Sequence, residues 1–236
     1  MSIDNIVIIS GYWLVPNKHS HYKYHQWFQN SLKINQLTYF FCEDQKGIDY
    51  IKEFRGDLPT KYIKYPLSGF HSNKYYNPRW THPIHVPSAE LGKIWHEKIH
   101  LMKLVKDKHD CPSAEFYIWC DAGACVYRDD PPPPVRLNLK DIHSLPHDKF
   151  CYSDPMLVDD YHNFSGTVYI IHRDMIDRIY ELFHEYVDVC NEMYDDWRCG
   201  SDQVIFTEMM KDYPDLFYKL SEGYGTNLKA LYDHHV

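Results

Sequence analysis

The opening strand–loop–helix–strand pattern constrains this chain most. Ile6-Val7-Ile8-Ile9 is a fully apolar run ending in Ser10-Gly11, as when a strand buried on both faces passes into a loop. Tyr24 to Leu32 reads as a helix, and Leu37 to Cys42 as a second strand ending at Glu43-Asp44. A start of this kind predicts a doubly wound, Rossmann-like α/β sheet, mostly parallel, with ligands at the carboxyl ends of its strands. The 236 residues are read as a single domain, 1–236.

Periodicity disappears from Pro66 to Pro87, so 66–87 is read as an irregular loop or lid. Its Tyr75, Tyr76, Arg79 and Trp80 are candidates for acceptor contact or lid closure. Ser88 then has the position of an N-cap for a helix to about Lys106, with an apolar stripe of Leu91, Ile94, Trp95, Leu101, Met102 and Val105. Lys98 falls in the middle of that stripe. A lysine there must reach a carboxylate, a carbonyl or a bound phosphate, or else snorkel to the helix edge.

A third strand, Phe116 to Cys120, ends at Asp121-Ala122-Gly123, and Pro131 to Pro134 form a stiff connector. Strands follow around Phe150–Tyr152 and Gly166–Ile171. Met175 to Cys190 is an amphipathic core helix, and Ser201 caps a last one, Asp202 to Lys211.

Composition excludes several classes. Lys and Arg number 25 against 33 Asp and Glu, a net charge of −8, which disfavours nucleic acid as a partner. No apolar stretch is long enough for a membrane span. The N-terminus lacks a basic n-region and a small-residue cleavage pattern, so no signal peptide is expected. The seven cysteines contain no C-x-x-C pair. Free thiols in a reducing, cytoplasmic compartment are expected. His96-Glu97-Lys98-Ile99-His100 matches H-E-x-x-H, but a lysine sits between the histidines, and helix phase sets them opposite the apolar stripe. They are read as solvated surface residues rather than zinc ligands.

The stretch from Phe116 to Pro131, a hydrophobic strand then Asp121-Ala122-Gly123-Ala124-Cys125-Val126-Tyr127-Arg128-Asp129-Asp130-Pro131, resembles the strand–Asp-x-Asp segment of GT-A nucleotide-sugar glycosyltransferases. Asn163-Phe164-Ser165-Gly166 before a strand, and Asp202-Gln203 at a helix start, resemble segments of the glycogenin-like enzymes in matching order. A fuller resemblance, over Ile6–Asp44, Ile94–Ile99 and Trp119–Gly123, is to the HtrL/YibB-type group of bacterial and viral glycosyltransferases.

These resemblances imply a GT-A-like domain that transfers a sugar from a nucleoside-diphosphate sugar, UDP-linked, to a saccharide or protein-linked acceptor. Ser10, Gly11, Tyr12 and Trp13 would meet the base and ribose, and Lys98 the diphosphate or Asp121. Asp121 would contact ribose or a metal, beside Gly123. Gly166, Asp202 and Gln203 would frame the sugar. Asp202 would activate the acceptor if the reaction inverts, and only position the donor if it retains.

A leaving diphosphate accumulates charge that Mg²⁺ or Mn²⁺ can neutralise. Gly123 replaces the second Asp of the motif, so a metal would arrive with the donor. Asp121 would be one ligand and the second is open, His234 and His235 being the only local suggestion. The competing class is a non-catalytic module of the same shape that holds nucleotide, sugar or a protein partner.

Overall fold

The computed structural model describes residues 5–108, 114–137, 144–157 and 159–233. Its strands are β1 (Ile6–Tyr12), β2 (Thr38–Cys42), β3 (Thr60–Lys64), β4 (Phe116–Cys120), β5 (Phe150–Asp154), β6 (Val168–His172) and β7 (Phe217–Glu222). They form one seven-stranded sheet in the order β3-β2-β1-β4-β6-β5-β7. β6 runs antiparallel to both neighbours, β4 and β5, and every other pair is parallel. The doubly wound, mostly parallel sheet expected from the opening pattern is therefore present.

The helices are α1 (His21–Ser31), α2 (Gln45–Arg55), α3 (Ala89–Lys108), α4 (Ile176–Met193), α5 (Asp202–Asp212) and α6 (Asn227–Asp233). Alternate residues of each central strand feed opposite layers. Val7, Ile9, Tyr117, Trp119, Tyr169 and Ile171 pack with α3, α4 and α5. Ile6, Ile8, Phe116, Ile118, Val168 and Ile170 pack with α6, while Phe40 and Cys42 pack with α1 and α2. Burial on both faces is why these strands read as unbroken apolar runs.

Capping sets the helix boundaries. Ser20 and Asp44 accept from the N–H groups of Lys23 and Gly47 to start α1 and α2, and Gly56, at φ 54°, ends α2. Segment 66–87 contains three short 3₁₀ turns, Leu67–Gly69, His71–Lys74 and Pro78–Trp80. β1 continues to Tyr12, so Ser10 is a buried strand residue rather than part of a loop.

Candidate active site

A cavity of about 390 Å³ opens at the carboxyl ends of β1 and β4. Here the chain order switches direction across the sheet, the place where open α/β sheets hold ligands. Gly11, Tyr12 and Trp13 line it from the end of β1 and just beyond, Asp121 and Gly123 from the turn after β4, Lys98 from α3, Gly166 from the turn before β6, and Asp202 and Gln203 from α5. Segments far apart in sequence thus converge on one space.

Lys98 is the centre of this convergence. Its ammonium lies 2.9 Å from Asp202 Oδ2 and 3.2 Å from Asp121 Oδ1, and donates to the Gly166 carbonyl at 2.9 Å. An ammonium has three N–H groups, and three acceptors surround this one. The Lys98 and Asp202 side chains are 5% and 4% exposed, against 33% for Asp121. Burial alone would lower the lysine pKa, yet the two carboxylates more than offset it, and the pKa rises. Burial raises the Asp202 pKa, with Lys98 pulling the other way.

The surrounding residues hold the two carboxylates still. Trp119 Nε1 donates to Asp121 Oδ1 at 2.8 Å, and the Gln203 N–H to Asp202 Oδ1 at 2.9 Å. Gln203 Nε2 donates to the Phe164 carbonyl at 3.1 Å. A Cβ on Gly166 would stand 2.8 Å from Asp202 Oδ2 and 3.0 Å from Oδ1. The glycine is thus required for the close approach of Asp202. At Gly123 a Cβ would meet Tyr24 at 3.2 Å and Trp27 at 3.4 Å. An aspartate there would have to displace aromatic rings.

The expected acceptor or lid residues lie elsewhere. Trp80 is buried, stacked on His96 at 3.8 Å, with its Nε1 donating to Asn191 Oδ1 at 3.2 Å. Arg79 donates to the Asn191 and Tyr194 carbonyls. Tyr76 packs edge-on against Trp80, and Tyr75 against His184. These contacts pin 66–87 to α3 and α4, and none of the four residues lines the cavity. Ser10 also lies outside it, beside a small void with Arg55 and Cys120.

His96 is buried and His100 half-buried, so neither is a solvated surface residue. His96 is buried and hydrogen-bonded through Nε2 to the Gly200 carbonyl at 3.0 Å, and burial lowers its pKa to about 3. His100 stacks on His71 at 4.5 Å. The docked 66–87 segment covers the helix face that sequence phase assigned to water.

Two cavity residues that sequence reasoning did not single out are Lys18 and Arg128. Lys18 stands at the exposed rim with its ammonium 5.0 Å from the Trp95 ring centre. The Arg128 guanidinium lies 3.7 Å over Trp27, and its Nε donates to the Gly123 carbonyl at 3.0 Å. The sequence held no local signal for these pairs, because Lys18 is far along the chain from Trp95 and Arg128 from Trp27, and only folding makes them neighbours.

The side chains present do not by themselves form a divalent-metal site. Asp121 and Asp202 are the carboxylates lining the cavity, and Lys98 contacts each through one oxygen, Asp121 Oδ1 and Asp202 Oδ2. Among the described residues no group of three His, Cys, Asp or Glu side chains is placed to hold a metal. His234 and His235 lie outside the described residues.

No protein-family model matches this chain, and no curated protein sequence matches it. Solved structures do. Apo glycosyltransferase GlyE of Streptococcus pneumoniae TIGR4 superposes with a TM-score of 0.50 at 12% identity, over 91% of this chain and 44% of that one. Core-mannan synthase A of Aspergillus fumigatus, in its Mn/GDP form, gives 0.43 at 9% identity over 90% and 70%. The fold is GT-A-like. This chain spans less than half the length of GlyE, and the likeness is one of fold. Among the described residues no helix is long and apolar enough to cross a membrane.

Proposed function

We propose that the cavity binds a nucleoside-diphosphate sugar and that the domain transfers the sugar to a saccharide or protein-linked acceptor. The observation that carries this reading is the Lys98–Asp121–Asp202 cluster, set at the switch point of a sheet whose fold is that of glycosyltransferases. Gly11, Tyr12 and Trp13 form the wall for base and ribose, and the exposed part of Asp121 faces the ribose hydroxyls. Gly166, Asp202 and Gln203 border the sugar.

Both Asp202 oxygens are engaged, one by Lys98 and one by the Gln203 N–H. Asp202 is therefore a positioning group in this reading. The acceptor hydroxyl forms the new bond to the anomeric carbon as the carbon–phosphate oxygen bond breaks, and its proton passes to the departing diphosphate. The same engagement favours a second reading, a module that binds the donor without transferring it.

A thermal-shift panel of UDP-, GDP- and ADP-sugars tests donor binding, since a ligand at 100 Kd adds about 2.7 kcal/mol of stability. No shift with any of them rejects the reading. Slow hydrolysis of the stabilising sugar nucleotide separates transferase from module.

A further inference from the structure

The cavity lining carries an excess of positive charge in a chain whose net charge is −8. Lys18, Lys98 and Arg128 face it against Asp121 and Asp202. Lys98 is spent on the two carboxylates, as ion pairs, and on the Gly166 carbonyl, as a hydrogen bond. It also stands between the two acids, where a hard cation would otherwise be held. An ammonium and a divalent ion cannot share those oxygens without strong repulsion.

Lys18 and Arg128 differ from Lys98 in one respect. Among the described residues neither has a carboxylate within ion-pair distance. Each is instead set against an indole, Trp95 or Trp27, which fixes a cation without neutralising it. Arg128 uses Nε on the Gly123 carbonyl, and among the described residues its two Nη groups make no hydrogen bond, which leaves a fork of donors on a residue that lines the cavity.

We propose that Lys18 and Arg128 form a diphosphate clamp, so that the donor binds through protein cations and without a divalent metal. This rests on the nucleotide-sugar reading and deepens it: the clamp does at the diphosphate what a bound metal would do. Lys98 contributes indirectly, by cancelling acidic charge that would repel the phosphates.

Titration calorimetry on the full chain with inorganic pyrophosphate, UDP and GDP, in EDTA and in excess Mn²⁺, tests the clamp. The expected result is binding in EDTA, with Mn²⁺ changing Kd by less than about threefold, and with Lys18→Met and Arg128→Met each weakening binding by about tenfold, the scale of one charge-assisted hydrogen bond. Lys18 is at the exposed rim, so its variant reports on binding even if Arg128→Met fails to fold. Binding that requires Mn²⁺, tightening by Mn²⁺ beyond that threefold, or a Lys18→Met protein that binds as the parent does overturns the clamp. Pyrophosphate held as tightly as any nucleoside diphosphate would keep the clamp and remove the nucleotide reading. Nucleotide binding that depends on Mn²⁺ would do the reverse.

Discussion

Lys98 shows how a single residue was partly legible before folding. A lysine centred on an apolar helical stripe had to find buried partners, and the named alternatives included a carboxylate and a carbonyl. It has both, Asp121 and Asp202 together with the Gly166 oxygen. That changes what its removal does. Lys98→Met leaves two carboxylates facing each other, one of them buried, and should destabilise the protein by about 3–5 kcal/mol. Adding Asp202→Asn removes the orphaned charge, so urea denaturation of the double variant should show recovery of more than about 1 kcal/mol. No recovery would mean that the pair is not coupled. Gly166 yields a second test. Gly166→Ala puts a methyl 2.8 Å from Asp202 Oδ2, so the carboxylate must move off Lys98. Donor affinity, read by calorimetry, should fall about tenfold or more. Unchanged affinity would detach the Asp202 position from donor binding.

At the scale of elements, α3 and the 66–87 segment define each other. Periodicity could find the helix but not its second buried face, because that face is covered by a stretch with no period of its own. Glu97 makes the join: its carboxylate accepts from the Tyr65 hydroxyl at 3.0 Å and from the His71 and Ser72 N–H groups at 2.9 and 2.8 Å. Around it His71 and His100 stack, their planes 4° apart. Burial, reinforced by neighbouring histidines, pushes both pKa values down to about 4, with Glu97 opposing at His71. These histidines are neutral when folded and free to protonate when unfolded. The unfolded chain therefore binds more protons between about pH 6.5 and 4. Their stabilising contribution is complete above that window and is lost as pH falls through it. The melting temperature should drop from pH 7 to pH 5, and His100→Gln should flatten part of the drop. A melting temperature independent of pH over that range would show that the stacked pair opens freely to water.

For the whole molecule, the sheet class was legible because central strands buried on both faces write apolar runs into the sequence. The edge strands were not. β3 and β7 are largely exposed or half-buried and carry lysines, so Thr60–Lys64 and Phe217–Glu222 have no such run. The order of strands was not written locally either, since it depends on which ends of the chain are stitched together. Arg55 does much of that stitching at the amino ends of β2 and β3, and it does not line the cavity. Its guanidinium donates to the carbonyls of Leu32, Ile34, Gln36 and Pro59 at 3.1–3.4 Å, and to Thr60 Oγ1 at 2.8 Å. Among the described residues it has no carboxylate partner, and burial lowers its pKa to about 10. Lysine has three donors on a point charge and cannot reproduce a planar five-donor fork. Arg55→Lys should therefore leave buried carbonyls unpaired and destabilise the fold by about 2–4 kcal/mol. Nucleotide affinity at a temperature where the variant remains folded should be unchanged, because the carboxyl ends of the strands are untouched. A variant as stable as the parent would show that water replaces the fork. One that keeps its stability but loses nucleotide binding would show that the two ends of the sheet are coupled.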